Sequence, residues 1–337
     1  MIRGSDGMER GLRWLGGAIL LAAALVVVGG ATLAPHEMGE QFRDHLYAPP
    51  MSVRVVDADG WHRPFVHPLL LEDRVTRRFR VDTTRRVPLV WWSGGKLVRM
   101  EGAGPLLLLG ADGLGRDVFT RLVLGARASL GVAGVAVIGA LVIGILVGAT
   151  AGYTGGATDE VLMRLAEFVL VLPAIYVVLA LRAALPLVLP SAAVFGLMAG
   201  LLALVGWPPV ARGVRAIVAS ERRRDYAVAA ASIGVRPVRL MLRHLLPATS
   251  GFLAVQVTLL LPAFILAEAT LSFVGLGFAE PTASWGTMLR EAGNVRAIAE
   301  FPWLLSPAAA IVLVVLGLNL LSQTGRFAAF KASSTPV

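Results

Sequence analysis

The 337-residue chain contains no cysteine, which removes disulfide staples, thiolate metal sites and a cysteine nucleophile from consideration. Its five histidines include no H-E-x-x-H pair, so the commonest helical zinc signature is missing too. There is no G-x-S-x-G nucleophile turn. Nor is there a phosphate loop: Gly94-Gly95-Lys96 lacks the upstream glycine spacing, and Leu97 stands where Ser or Thr would be needed. A membrane-embedded enzyme would need a reactive constellation at membrane depth, and none is offered. Charged residues make up only 16% of the chain. Their net balance of +9 raises the question of nucleic acid, but no basic and aromatic module accompanies the arginines, so that class is set aside.

What is present in excess is apolar sequence. At 56% hydrophobic residues, with several apolar runs of about 20 residues, the chain reads as an integral helical membrane protein. Six spans are expected, at 15–33, 130–151, 165–185, 191–208, 249–267 and 304–321. Arg3, Arg10 and Arg13 precede the first run, which is longer than a signal-peptide core and ends in no A-x-A site, so it reads as an uncleaved span with its N-terminal side inside. Between residues 210 and 248, eight arginines (212, 215, 222, 223, 224, 236, 239 and 243) stand against Glu221 and Asp225. Such a surplus beside membrane spans marks the cytoplasmic side. The expected fold class is therefore an all-α polytopic membrane protein of six transmembrane helices with a cytoplasmic helical segment.

Residues 35–112 break the apolar pattern, with prolines at 35, 49, 50, 64, 68 and 88 and nearly balanced charge. Alternation in 52–56, the Asp57-Ala58-Asp59-Gly60 turn, and the pair 87–92 and 96–100 around Ser93-Gly94-Gly95 predict short hairpins. This is read as a small β-rich extracytoplasmic insertion after the first span. Trp61, Trp91 and Trp92 leave two readings: interfacial anchors, which is the commoner use of aromatics beside a bilayer, or a grip on a ligand.

Residues 221–247 form the polar, basic segment between two apolar runs and read as a helix–turn–helix. Ala227, Ala229, Ala230, Ala231 and Ser232 favour helix with a slender surface, Gly234 sits where a C-cap belongs, and Pro237 suits the first turn of a second helix. Pro247 is expected to mark a boundary. Upstream, residues 110–130 place Asp117, Arg121 and Arg127 on an apolar helical pattern and read as an amphipathic helix lying at the interface ahead of the second span. Gly155–Glu160 is expected to be a short inner turn, and 268–303 an outer connection carrying Glu268, Glu280, Glu291 and Glu300. Its piece 271–278 is too short to cross and too rich in glycine for an ordinary helix, so it reads as a re-entrant or scoop-like segment. That segment either faces a translocation path or plugs the outer rim. Inside or near the edges of the spans, Glu167, Arg182, Gln256 and Asn319 leave two readings each: polar groups of a pathway, or, for Glu167 and Arg182, side chains near enough to the ends of the third span to snorkel and, for Gln256 and Asn319, interhelical hydrogen bonds. Gly144 and Gly148 form a G-x-x-x-G pair that permits close helix contact.

Three stretches resemble one family. Tyr226, Ala229-Ala230, Gly234 and Leu246-Pro247 resemble the "EAA" signature of permease subunits of binding-protein-dependent ABC importers, except that Val228 stands where the family usually has glutamate. Asp225, one turn earlier on roughly the same face, could substitute for it. The stretch Asp112, Gly115, Arg116, Asp117, Arg121, Gly125 and Arg127 is similar to the G-T-D-x-x-G-R-D-x-x-S-R-x-x-x-G-A-R segment of C-type permeases of dipeptide and oligopeptide importers. Glu268, Ser272, Gly275, Gly277 and Ser284-Trp285-Gly286 resemble that group's outer E-A-A-L-S-F-L-G-L-G…S-W-G stretch. The resemblance covers roughly residues 110–325 and not the insertion before them; joined to the composition it gives a domain plan of 1–34 (N-terminus and first span), 35–112 (insertion), 113–325 (permease core with the coupling loop 210–248) and 326–337 (cytoplasmic tail). It implies a multi-pass protein of the bacterial inner membrane, with both termini cytoplasmic. It implies partners: a second homologous permease, two cytoplasmic ATPase subunits that bind the coupling loop and an extracytoplasmic binding protein; the composition adds membrane lipid and no nucleic acid. It implies no catalytic residue, no metal and no cofactor in this chain, ATP and magnesium being held by the ATPases. The cargo implied is peptide, with nickel, glutathione or another solute as the alternative within the same family.

Overall fold

A computed structural model describes residues 3–57, 60–74, 76–102, 104–173, 176–177, 180 and 189–333. Its helices are α1 (Arg3–Leu33), α2 (Val118–Thr154), α3 (Gly156–Val171), α4 (Ser191–Glu221), α5 (Asp225–Ser232), α6 (Pro237–Leu240), α7 (Ser250–Phe273), α8 (Trp285–Glu291), α9 (Val295–Glu300) and α10 (Ser306–Ser333). Five segments among the described residues are long and apolar enough to cross a membrane: Gly11–Leu33, Val118–Thr154, Ser191–Glu221, Pro237–Phe273 and Pro302–Ser322. The sixth expected span, 165–185, begins on α3; Arg182 and most of its second half lie outside the described residues.

Several boundaries differ from those expected. No separate interfacial helix precedes the second span, because α2 runs unbroken for 37 residues from Val118. Residues 110–117 are instead a looped turn. Helix α4 does not stop at Pro208 but continues through Pro208-Pro209 to Glu221, so the first part of the expected loop 210–248 is helical. Trp207, Pro208, Val210 and Ala211 are buried there, and packing of this kind offsets the lost backbone donors. Pro247 opens a 3-10 turn, Pro247–Thr249, that leads straight into α7, so it does not close off the helical path. The piece 271–278 is not wholly re-entrant: its first three residues are the last turn of α7, which carries Glu268 inside a helix instead of an outer loop. Helix α10 continues to Ser333, past the position where a tail was expected.

The chain forms two compact units, Met1–Gly131 with Glu268–Val337, and Val132–Ala267. In the second unit α2 lies against α4 along a row of glycines. A Cβ on Gly144 would come 2.6 Å from Val210 Cβ, on Gly148 2.3 Å from Ala211 O, and on Gly152 2.6 Å from Arg215 O. The spacing of four residues puts all three on one stripe, and only hydrogen fits beneath the facing backbone. Helix α3 joins through Ala166, which packs with Trp207 and Ala211. Arg215 Nε donates to Asp159 at 2.9 and 3.2 Å. The α2–α3 turn is sharper than expected: Gly155 and Gly156, both at positive φ, complete it alone.

In the first unit α1 packs along α10, again where glycines meet: a Cβ on Gly16 would lie 2.9 Å from Gly317 O. Between α1 and α2 come six strands: β1 (Arg54–Asp57), β2 (Gly60–Val66), β3 (Leu69–Asp73), β4 (Arg78–Val81), β5 (Val87–Ser93) and β6 (Lys96–Met100). They form an antiparallel four-stranded sheet of order β1-β2-β5-β6 and a separate β3–β4 hairpin. The β5–β6 turn is Gly94-Gly95, with φ of 59° and 75°, which side chains other than glycine tolerate poorly. Val66, Leu89 and Leu106 form the core of this sheet.

Candidate functional site

In the first unit the structure brings two of the distant motif stretches into one site. Residues 112–116 form a tight turn organised by the Asp112 carboxylate, whose Oδ1 accepts from Leu114 N and Arg116 N at 2.9 Å each. Its Oδ2 accepts from Arg116 Nε at 2.6 Å. Gly115 has φ +74° and sits 2.2 Å from Phe42 O at the position a Cβ would take, so the turn closes only with glycine. Phe42 N donates to Gly115 O at 2.9 Å, and Tyr47 N to Asp112 O at 3.0 Å, which pins the turn to the chain that follows α1.

Asp117 then caps α2. Its side chain accepts from Phe119 N at 3.2 Å and from Thr120 N and Oγ1 at 3.0 and 2.6 Å, satisfying donors at the helix start that no carbonyl can reach. Burial pushes its carboxyl up to about 6, against the hydrogen bonds from Thr120 and Phe119.

Arg116 and Arg121, both nearly inaccessible to solvent, converge on Glu280. Arg116 Nη1 donates to Glu280 Oε2 at 2.5 Å; Arg121 Nη2 and Nη1 donate to Oε1 and Oε2 at 3.0 and 3.3 Å. Arg121 Nε lies 3.6 Å from Asp112 Oδ2, and Arg116 Nη2 lies 3.6 Å from Glu291 Oε1. Burial is the largest influence on Glu280 and raises its pKa, but Arg121 and Arg116 together outweigh it and hold the carboxyl below its usual range. Glu291 is pushed up to about 7 by burial and by the Asp112 and Glu280 charges, which outweigh the opposing pull of Arg116 and Arg121. Two cations and three carboxylates thus form one clasp, in which the buried Asp112, Arg116 and Arg121 are compensated chiefly by one another and by the partly exposed Glu280.

Below the clasp lies a polar knot. Glu268 and Ser272 on α7, Ser129 on α2 and Ser284 are all fully buried, and Ser272 Oγ donates to Glu268 Oε1 at 2.7 Å. Ser284 is the N-cap of α8 in a reciprocal capping box with Thr287. Trp285 N donates to Ser129 Oγ and Trp285 Nε1 to Leu122 O, each at 3.0 Å. The glycines of the motif sit at close approaches, measured to a notional Cβ: Gly125 against the backbone at Ser284 Cα, 3.4 Å, Gly286 against the backbone at Ala269 O, 2.4 Å, and Gly277 against the Ser272 side-chain hydroxyl, 2.1 Å. Gly275, at φ +90°, ends α7, with Leu276 N donating to Leu271 O and Gly275 N to Ser272 O. Arg127 stands apart from the clasp; its Nε and Nη2 donate to Val27 O and Val28 O of α1 at 2.6 and 2.8 Å.

Glu280, Glu291, Thr120 and Ser129 complete this site; the sequence shows Glu280 and Glu291 only as acids of the outer connection and does not mark Thr120 or Ser129 at all. The signal available was the excess of acids in 268–303, which needed buried cations elsewhere to answer it.

The second unit holds the other candidate stretch. Helix α5 ends in a left-handed Gly234 at φ +80°, with Gly234 N donating to Ala231 O at 3.0 Å and Val235 N to Ala230 O at 3.1 Å. This is the paired capping pattern that reverses a chain tightly, and Ala230 packs beside Val235. Pro237 opens α6, followed by a π turn, Met241–Leu245. Ala227, Leu240 and Leu245 are buried against Val214 and Val218 of α4. Tyr226 Oη donates to Glu221 Oε2 at 2.6 Å, which raises the phenol's pKa. Of the alanines, Ala227 faces the core and Ala230 is half-buried, while Asp225, Val228 and Ala229 face outward. Leu246 is half-buried and Pro247 exposed. Ile233, Val238 and Leu242 are 82%, 70% and 61% exposed, an apolar patch ringed by Arg236, Arg239 and Arg243. Among the described residues no group of His, Asp and Glu is arranged to hold a metal ion.

The family described as binding-protein-dependent transport system inner membrane component matches residues 140–325. The chain is 36% identical over 217 residues to the oligopeptide transport system permease protein OppC of Bacillus subtilis, covering 64% of this chain and 68% of the relative. It is 39% identical over 215 residues to the dipeptide transport system permease protein DppC of the same organism, covering 64% and 65%. To the di/tripeptide transport system permease protein DppC of Pseudomonas aeruginosa it is 37% identical over 225 residues, covering 66% and 72%. The five apolar segments among the described residues, the paired motif stretches and these matches lead to one assignment: the chain belongs to the family of binding-protein-dependent transport system inner membrane components, integral permease subunits of ABC importers.

Proposed function

We propose that this chain forms one transmembrane half of a peptide importer. Membership of the family implies ATPase and binding-protein partners, and similarity to oligopeptide, dipeptide and di/tripeptide permeases supports small peptides as cargo. In this reading a second, related permease supplies the other half of the pathway, and two ATPase subunits hold ATP and magnesium. The chain crosses six times with both termini inside, residues 35–112 lie outside, and 113–325 form the core. The binding protein delivers cargo to the outer mouth.

The observation that carries the coupling role is the apolar patch Ile233, Val238 and Leu242, left exposed on a segment whose own backbone is locked by the Gly234 cap. Contiguous exposed apolar side chains rimmed by charge mark an interaction surface. Asp225, Tyr226, Val228, Ala229, Ala230, Gly234, Leu246 and Pro247 shape or flank that surface, and the ATPase is its occupant. Closure of the ATPase pair around ATP then drags the segment as a rigid piece, and α4 and α7, continuous with it through short turns, reopen the pathway on the other side. Outside, the Asp112–Arg116–Arg121–Glu280 clasp fixes the rim against which the spans move.

The test is reconstitution with the partner subunits in proteoliposomes and measurement of ATP-dependent uptake of labelled di- and oligopeptides. Concentrative peptide uptake that requires all subunits is expected. Uptake of nickel or glutathione but no peptide would overturn the cargo, and ATP hydrolysis by this chain alone would overturn its role as a subunit.

A further inference from the structure

We propose that one end of the four-stranded sheet is seated in the phospholipid headgroup layer beside α1, with Trp61, Trp91 and Trp92 as its anchors. The argument begins with topology. Strands β2 and β5 are antiparallel neighbours, paired as Phe65 with Pro88 and Val66 with Val87. The start of β2 and the end of β5 therefore lie at the other end of the sheet, and with them the paired residues Asp57 and Gly60 and the Ser93–Lys96 turn. All three tryptophans belong to that end, and they are 84%, 52% and 76% exposed.

The same end is tied to a membrane span. Lys96 Nζ donates to Ala31 O at 3.1 Å and to His36 O at 3.5 Å. Ala31 is in the last turn of α1, whose apolar stretch Gly11–Leu33 has 23 residues. At about 1.5 Å per residue that stretch is roughly 35 Å, little more than a hydrocarbon core of about 30 Å, so its last turn lies at the boundary with the headgroups. Lys96 is held at that level. Trp92 sits just across the two-glycine turn from it, within a few residue rises of about 3.4 Å. Arg99 Nη1 folds over the turn, 3.3 Å from the position a Cβ on Gly94 would take, and gives a second cation beside Lys96. Indole rings with neighbouring Lys and Arg at the end of a span match the chemistry of the bilayer interface.

The three rings do not form a ligand grip. The groove between β2 and β5, about 650 Å³, is lined by Trp91 but not by Trp61 or Trp92, so the rings do not close on a common space.

The absence of native cysteine makes the test direct. Trp92→Cys, Trp61→Cys and Glu101→Cys, each carrying a fluorescent bimane, are placed in the full transporter in nanodiscs containing lipids with nitroxide-labelled headgroups. Glu101 N donates to Pro88 O, at the far end of the sheet, about 17 Å from the turns by strand rise. Several-fold stronger quenching at positions 92 and 61 than at 101 is expected. Equal, weak quenching at all three would overturn the proposal. So would shielding at 92 and 61 that appears only when the substrate-binding protein is added, which would assign the tryptophans to a protein partner.

Discussion

The clasp in the first unit and residues 221–247 in the second, proposed above as the coupling segment, are both polar stretches beside spans, yet they treat their surfaces in opposite ways. In the clasp, Asp112, Arg116 and Arg121 are almost fully buried and find their partners within the chain, chiefly Glu280. In the coupling segment the backbone is satisfied by the Gly234 turn while the apolar side chains Ile233, Val238 and Leu242 are left uncovered. A buried, mutually paired charge network fixes one arrangement and is costly to disturb. An apolar face left open costs little to change in the free chain, and its value is realised only against a partner. The two regions should therefore respond differently to substitution: the clasp through folding, the segment through transport.

The sharpest break of that contrast is Arg116→Met. It removes the partner of a carboxylate that is 1% exposed and one of the two cations on Glu280. Leaving a buried charge unpaired costs about 3–5 kcal/mol, and loss of most folded protein in detergent melts is the expected result. The double variant Arg116→Met with Asp112→Leu should recover part of that loss, a coupling readable from the double-mutant cycle. Gly115→Ala comes next. Its Cβ would press on Phe42 O in a left-handed backbone, for about 2–4 kcal/mol, and protease sensitivity of the chain after α1 should rise.

Which parts of this contrast were readable from sequence follows from the range of each interaction. The Gly234 cap, Pro237 at a helix start and the Gly144–Gly148 pair are local or periodic signals, and each stands in the structure where the residues placed it. The clasp is different. Arg116 and Arg121 meet Glu280 across 164 and 159 residues, and Arg127 meets Val27 across 100. Asp117, Arg121 and Arg127 on an apolar pattern therefore read locally as an interfacial surface, although Asp117 and Arg121 are buried among their partners and only Arg127 is exposed. The same blindness hid the continuity of α2, because no single-chain pattern distinguishes a charged turn that is neutralised from one that faces water.

A smaller effect sharpens the comparison by pH. Glu291 has its carboxyl pushed up to about 7 by burial, from 4.5, and Asp117 is pushed up to about 6, from 3.8. Both therefore bind protons more readily in the folded chain than in the unfolded one. Their contribution is fully present below the unfolded values and is lost as pH rises through about 6 to 7. Glu280 works the other way, its contribution fading as pH falls below its usual range. Stability should be higher at pH 5 than at pH 7.5 by about 1–2 kcal/mol, the full shift being reduced because Glu291 is partly exposed. Glu291→Gln should flatten the melting profile between those values; an unchanged slope would remove Glu291 from the clasp.

The smallest effect on folding belongs to the coupling segment, where the functional effect should be largest. Ile233 is 82% exposed beside the Gly234 cap and packs on little of its own chain. Ile233→Asp should change unfolding free energy by no more than about 0.5 kcal/mol, as surface substitutions do. Against a partner's apolar pocket the same change buries an unpaired charge, so assembly with the ATPases and peptide uptake should fall by at least about tenfold, equivalent to 1.4 kcal/mol. Val228→Glu is the counterpart on the opposite flank of α5. Val228 is 53% exposed, and its carbonyl accepts from Ser232 Oγ at 3.0 Å, a bond that a side-chain change leaves in place. Folding should be unaffected, and ATPase stimulation should stay the same or rise, since glutamate next to Asp225 adds an acceptor on the outward face. If Ile233→Asp melts early but transports normally, the segment is a structural element like the clasp, and the contrast between the two regions fails.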